Sequence, residues 1–110
     1  MAYGDAITAL ADPTRRAVFE RLRRGPRPVG EIARELPVSR PAVSQHLRVL
    51  KDAGLVRERR EGTRNFYSLN GDGLAELREY VEAFWDDALA AFKEEAEREK
   101  GDDDDADHED

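Results

Sequence analysis

Cysteine is absent from this 110-residue chain, so disulfides, thiolate metal sites and thiol redox switching are all excluded. Long apolar runs are absent too. No stretch approaches the roughly 18 apolar residues that a membrane span needs, and none is expected. The N-terminal MAYGDAITAL has no basic region followed by a long apolar stretch, so no signal peptide is expected and a cytoplasmic location is the default. Histidine is scarce, with only His46 and His108. There is no phosphate-cradling glycine loop and no HExxH spacing. The carboxylate pairs Asp86-Asp87 and Glu94-Glu95 fall on a solvated helix face. No catalytic residues, no cofactor and no enzyme activity are expected.

Charge is plentiful but unevenly spread. Residues 1–70 hold 14 Lys+Arg against 8 Asp+Glu, a net of +6, whereas residues 71–110 hold 4 against 17, a net of −13. The overall −7 therefore conceals a basic part suited to nucleic acid and an acidic remainder.

The centre of the basic part is Pro37 to Val56, PVSRPAVSQHLRVLKDAGLV. Val43, Leu47 and Leu50 recur at i, i+4 and i+7, one apolar stripe of a helix. Arg40, Ser44 and Arg48 follow on the other side, with Pro41 and Gln45 beside them and no carboxylate before Asp52. Those are residue types that touch phosphates and base edges. Ser39 is a good N-cap, Pro41 suits the first turn, and Gly54 stops the helix. His46 lies between the two rows, where a phosphate hydrogen bond and helix packing both fit. A lone histidine with no second His or Cys nearby makes a poor metal site.

Before that helix the chain reads as three shorter ones. Asp5 to Ala11 carries Ile7 and Leu10 three apart. Asp12-Pro13 caps and starts a second helix running to Gly25, with Val18, Phe19 and Leu22 inward. Pro26 and Pro28 make a stiff connection to a third, Val29 to Glu35, whose apolar side is Val29, Ile32, Ala33 and Leu36. Two helices joined by a few residues, the second with a polar front, form the helix-turn-helix pattern.

After Gly54, LVRERR, the turn signal Glu61-Gly62 and TRNFYSL read as a β-hairpin, with Val56, Phe66 and Leu69 tied to the core. Arg57, Arg59, Arg60 and Arg64 make it a basic wing. Those arginines either neutralise phosphate or blunt an exposed strand edge, and their number against Glu58 and Glu61 favours phosphate. Strand alternation leaves open which of them face DNA. Asn70 or Asp72 then caps the longest helix, residues 74 to about 99. Leu74, Leu77, Val81, Phe84, Ala88 and Ala91 form an a/d-like seam, and Trp85, Leu89 and Phe92 widen it. The widening predicts packing against a second subunit as well as the domain. Residues 1–100 are thus expected to form one DNA-binding and dimerisation domain. Gly101 should end the helix, leaving 101–110, with His108, as a disordered acidic tail.

Leu10-Ala11-Asp12-Pro13-Thr14-Arg15, the run Ser39…Ser44-Gln45-His46-Leu47…Leu50 and the Gly62-to-Tyr67 wing resemble the ArsR/SmtB family of winged-helix bacterial repressors over about Leu10 to Leu69. The resemblance implies a homodimer, joined by the first and last helices, that blocks transcription from a pseudo-palindromic operator. It places Ser39, Arg40, Pro41, Ser44, Gln45 and Arg48 on the DNA-reading helix and Arg59 to Asn65 in the wing. Its best-known members bind metal through cysteines on the third helix or Asp/His and His/Glu pairs on the last. Here the third helix reads Val29-Gly30-Glu31-Ile32 and the last has no histidine, so the resemblance is to the metal-free branch.

The expected fold is mainly α with a small β-hairpin, a dimeric winged helix-turn-helix of order ααααββα. The expected function is DNA binding by a metal-independent repressor. The DNA-binding set is Ser39, Arg40, Pro41, Ser44, Gln45, His46, Arg48, Lys51, Arg57, Arg59, Arg60, Arg64 and Asn65. The dimer set is Ile7, Leu10, Leu77, Val81, Phe84, Trp85, Ala88 and Phe92, and no metal site is expected. Double-stranded operator DNA and a second copy of the chain are the expected partners, with no membrane and an unknown inducer. Two other readings stay open: a sensor binding a small molecule or cation at the C-terminal helix, and a protein-interaction winged helix without DNA binding.

Overall fold

Short polar residues set the helix boundaries, as their sequence positions predict. A computed structural model describes the backbone of residues 3–109 and the side chains of residues 4–100. Its elements are α1 (Tyr3–Ala11), α2 (Pro13–Glu20), β1 (Arg27–Pro28), α3 (Val29–Arg34), α4 (Arg40–Asp52), β2 (Val56–Glu61), β3 (Arg64–Leu69) and α5 (Gly71–Glu109). Asp12 Oδ1 accepts from the amides of Thr14 and Arg15 at 2.9 and 3.0 Å, capping α2. Ser39 Oγ does the same for α4, accepting from Ala42 N at 3.2 Å. Gly54, at φ 82°, takes the left-handed position just past α4.

Two compact units divide the chain, one up to Leu77 and one from Arg78 onward. In the first unit Val18, Leu22, Ile32, Val43, Leu47, Leu50 and Leu55 are buried almost completely. Full burial of such a side chain contributes about 1.5–3 kcal/mol, so this cluster holds α2, α3 and α4 together. No helix of the described residues is long and apolar enough to cross a membrane.

The sheet is larger than the hairpin expected. Arg27 and Pro28 pair antiparallel with Tyr67 and Phe66, giving the order β1-β3-β2 and the chain order ααβααββα rather than ααααββα. A two-residue strand holding a proline leaves no sequence pattern. It is tolerated because β1 is an edge strand, where a missing N–H breaks no ladder. Gly62, at φ 60°, is the first of two turn residues between β2 and β3, a position where a II′ hairpin turn favours glycine.

Register also corrects the core assignment of the wing. Val56 pairs with Leu69 and Glu58 with Tyr67, so Val56, Tyr67 and Leu69 share the inward face. Tyr67 is buried, and Phe66, one residue earlier, points to the opposite face.

Other boundaries and faces shift as well. α2 ends at Glu20, and i→i+3 bonds such as Leu22 N to Phe19 O (3.1 Å) carry the chain to Gly25. α1 buries Ala6 and Ala9, leaving Ile7 exposed and Leu10 half-buried against the core.

Asn70 caps α5: its Oδ1 accepts from Asp72 N at 3.2 Å and its Nδ2 donates to Gly54 O at 2.9 Å. A Cβ at Gly73 would collide with the Gly54 carbonyl, so this corner requires glycine. α5 is continuous to Glu109, past the end expected at Gly101, since one interior glycine costs only about 1 kcal/mol. His108 and the other side chains of 101–110 lie outside the described ones.

In the second unit Val81, Phe84, Trp85, Leu89 and Phe92 are all exposed, Phe84 at 67%.

Candidate nucleic-acid interface

α4 is amphipathic in the sense its sequence predicts. Val43, Leu47 and Leu50 are fully buried, while Arg40, Pro41, Ser44, Gln45 and Arg48 are exposed. Thirteen residues make a rod about 20 Å long, and a helix of this kind fits a major groove about 12 Å wide. Arg40 and Arg48 make no hydrogen bond or ion pair among the described residues. Arg48 feels the Glu58 carboxylate without bonding to it, and both guanidinium groups keep their donors for phosphate or base acceptors.

The wing arginines are placed differently, because each has a partner. Arg57 meets Asp72 at 2.9 Å, Arg59 meets Glu61 at 3.1 Å, and Arg64 meets Glu31 at 3.6 Å. Arg60 Nε donates to Gly62 O at 3.4 Å. Arg64 also lies 5.2 Å from the centre of the Phe66 ring. Lys51, the last basic residue of α4, is tied to Glu58 of β2 at 3.0 Å.

Glu58 joins α4 to the wing. It accepts from Lys51 Nζ and from Tyr67 Oη, each at 3.0 Å. The Lys51 ammonium, then the Tyr67 hydroxyl, hold the Glu58 carboxyl below the usual carboxylate range. Burial first, then the bond to Glu58, pushes the Tyr67 hydroxyl up to about 12. The Tyr67 bond holds the Glu58 carboxylate within the hairpin, and the Lys51 bond ties that carboxylate to α4.

His46 sits apart from the exposed row. It is half-buried, its Nδ1 has no hydrogen-bond partner among the described residues, and its charge bears on Asp12. The Asp12 carboxyl is lowered mainly by the Arg15 amide, with the Thr14 amide, Arg15 and His46 adding to it. That placement leaves both packing of α4 on the start of α2 and a phosphate contact open to His46.

Between α3, the front of α4 and the wing tip runs a polar cleft of about 400 Å³. Glu31 and Arg34 come from α3, Arg40 and Ser44 from α4, and Thr63, Arg64 and Asn65 from the wing. Sequence reasoning brought Arg40, Ser44, Arg64 and Asn65 together but missed Glu31, Arg34 and Thr63. The one available signal was that Gly30 and Arg34 share a face of α3, four residues apart. Arg57 and Arg59 line another hollow, with Phe66 and Ser68 on the sheet face turned away from Tyr67. Ser39 Oγ accepts the cap bond from Ala42 N, which leaves its O–H as a donor.

A helix packed behind a recognition-type helix, with a basic wing after it, is the winged helix-turn-helix arrangement. Residues 10–59 match the model of a helix-turn-helix domain family. Over 87 residues the chain is 60% identical to the HTH-type transcriptional regulator Rv2034 of Mycobacterium tuberculosis, covering 79% of this chain and 81% of that one. It is 40% identical over 66 residues to the transcriptional repressor SdpR of Bacillus subtilis, covering 60% and 73%. Among solved structures it resembles the homodimeric winged helix-turn-helix DNA-binding domain of Mb0332 from Mycobacterium bovis, a possible ArsR-family transcriptional regulator. That match has a TM-score of 0.62 and 35% identity, covering 78% of this chain and 80% of the other. The chain belongs to the ArsR/SmtB family of winged-helix transcriptional regulators. It is a regulator and not an enzyme. In this fold α4 is the second helix of the helix-turn-helix and the β2–β3 hairpin is the wing, and the unbonded arginines of α4 distinguish the helix from the paired arginines of the hairpin.

Proposed function

We propose that this regulator is a homodimeric repressor that binds a pseudo-palindromic operator without a metal switch. The observation that carries the reading is the acid-free outer row of α4, Arg40, Ser44, Gln45 and Arg48, held out by a fully buried inner row. In a dimer the two α4 helices would enter successive major grooves about 10 bp apart. Arg40 or Arg48, with Ser44 and Gln45, would read base edges, and the wing arginines would take backbone phosphates.

Support for self-association comes from each unit separately. Ile7 of α1 is exposed, and so are Tyr80, Val81, Phe84, Trp85, Leu89 and Phe92 of α5, a stripe of large apolar side chains. Tyr80 and Leu89 join the expected interface, whereas Leu10 and Leu77 are partly committed to the core of their own unit. Ala88 is half-buried on the same helix.

The reading of metal independence starts from the lack of cysteine.

The test is fluorescence anisotropy on a duplex from the promoter of the protein's own gene, at two salt concentrations. Chelator, then zinc, would be added, with sedimentation giving the oligomeric state. Salt-sensitive, sequence-selective binding by a dimer, indifferent to metal, is the expected result. A monomer, binding without sequence preference, or release by zinc would sink the corresponding part of the reading.

A further inference from the structure

The polar cleft between α3, α4 and the wing tip contains a charge that the DNA-binding reading does not use. Three arginines, Arg34, Arg40 and Arg64, line it, and Glu31 is the only carboxylate among its lining residues. Arg34 and Arg40 have no ion-pair partner among the described residues. Glu31 reaches Arg64 at 3.6 Å through Oε2 and Arg27 at 3.7 Å through Oε1. Arg27 does not depend on Glu31, because Glu35 holds it in a two-pronged bond at 2.9 and 2.6 Å. Glu31 is therefore left facing the cleft and Arg64. Both are partly open to solvent, at 46% and 60% side-chain exposure, so the pair can be exchanged without unfolding anything.

A recess with three guanidinium groups and a hydroxyl on each bank, Ser44 and Thr63, has the chemistry of a phosphodiester site. We propose that this cleft seats a backbone phosphate of the DNA, and that Glu31 is the counter-charge Arg64 gives up to reach it. The proposal rests on the DNA-binding reading and adds α3 to the interface. In the free protein Glu31 parks the Arg64 guanidinium over the cleft, against the Phe66 ring. On DNA the phosphate replaces the carboxylate as its partner, and Glu31 remains beside it as a like charge. The wing thereby adds less sequence-independent affinity than its arginines suggest, and discrimination falls more heavily on α4.

Operator binding by the full chain, measured by anisotropy at several salt concentrations, tests this. Glu31→Gln keeps the shape and removes the charge. It should tighten binding on the order of 2- to 5-fold at low salt, the range of one exposed ion pair. The slope of log affinity against log salt should steepen by up to about one unit. The gain should largely disappear in an Arg64→Ala background. Glu20→Gln, which removes the same charge from an exposed residue of α2 that makes no ion pair among the described residues, should leave binding as it was. An unchanged Glu31→Gln affinity overturns the proposal. So does a gain undiminished in Arg64→Ala, or one matched by Glu20→Gln, since either would mean long-range charge alone. If the wild-type chain binds no duplex, the DNA-binding reading fails and takes this proposal with it. If the wild type binds and Glu31→Gln binds identically, only the proposal fails.

Discussion

The recognition helix and the wing present arginines in opposite states. On α4, Arg40 and Arg48 project from a helix whose other side is sealed by Val43, Leu47 and Leu50, and neither makes a hydrogen bond or ion pair among the described residues, Arg48 only feeling the field of Glu58. On the hairpin, Arg57, Arg59, Arg60 and Arg64 already hold Asp72, Glu61, the Gly62 carbonyl and Glu31. A free guanidinium gains whatever DNA offers. A paired one gains only the difference between its new partner and its old one, and an exposed pair is worth about 0–1 kcal/mol. Counting arginines alone hides that difference.

The largest effect should come from breaking the seat of the helix. Leu47→Ala leaves a cavity at a fully buried site and should cost about 2–5 kcal/mol of stability, read by denaturant unfolding. A loss below 1 kcal/mol would mean that α4 is not held by this core.

Next comes the direct contrast. Arg48→Ala should weaken operator binding by about 1–3 kcal/mol if it reads a base. Arg59→Ala, which first gives up Glu61, should cost less than about 1 kcal/mol in the same titration. Equal losses would erase the distinction between free and paired arginines.

The smallest effect concerns the joint between helix and wing. The Glu58 carboxyl is depressed by Lys51 and Tyr67, so its contribution is complete above the ordinary carboxylate range. It fades as pH falls through the lowered value. The Tyr67 hydroxyl is raised to about 12, so its contribution holds below the ordinary phenol value and fades as pH climbs through 12. Glu58→Gln should flatten the acid side of a melting-temperature profile. An acid limb identical to the wild type would show that the joint does not depend on this charge.

Much of the fold was legible because its signals are local. Asp12, Ser39 and Gly54 mark helix ends through bonds or backbone angles within a few residues. The Val43, Leu47, Leu50 spacing assigned the buried side of α4 without reference to any other element. The candidate site was legible on α4 for the same reason. It was less so on the wing, where a two-residue period makes a one-residue error exchange the faces. Phe66 looked like the better core residue by hydrophobicity, yet the pairing of Val56 with Leu69 sends Tyr67 inward instead. The brief β1 strand had no pattern to read, being two residues long with a proline.

By itself, then, the sequence determined the helices, their caps, the apolar seat of the recognition helix and the absence of thiol chemistry. These depend on residue type and on neighbours within one or two turns. Tertiary structure decided which cations are free. Arg57 finds Asp72 fifteen residues away, and Arg64 finds Glu31 across the cleft. Coulomb attraction between side chains depends on distance in space, and only the folded chain sets that distance.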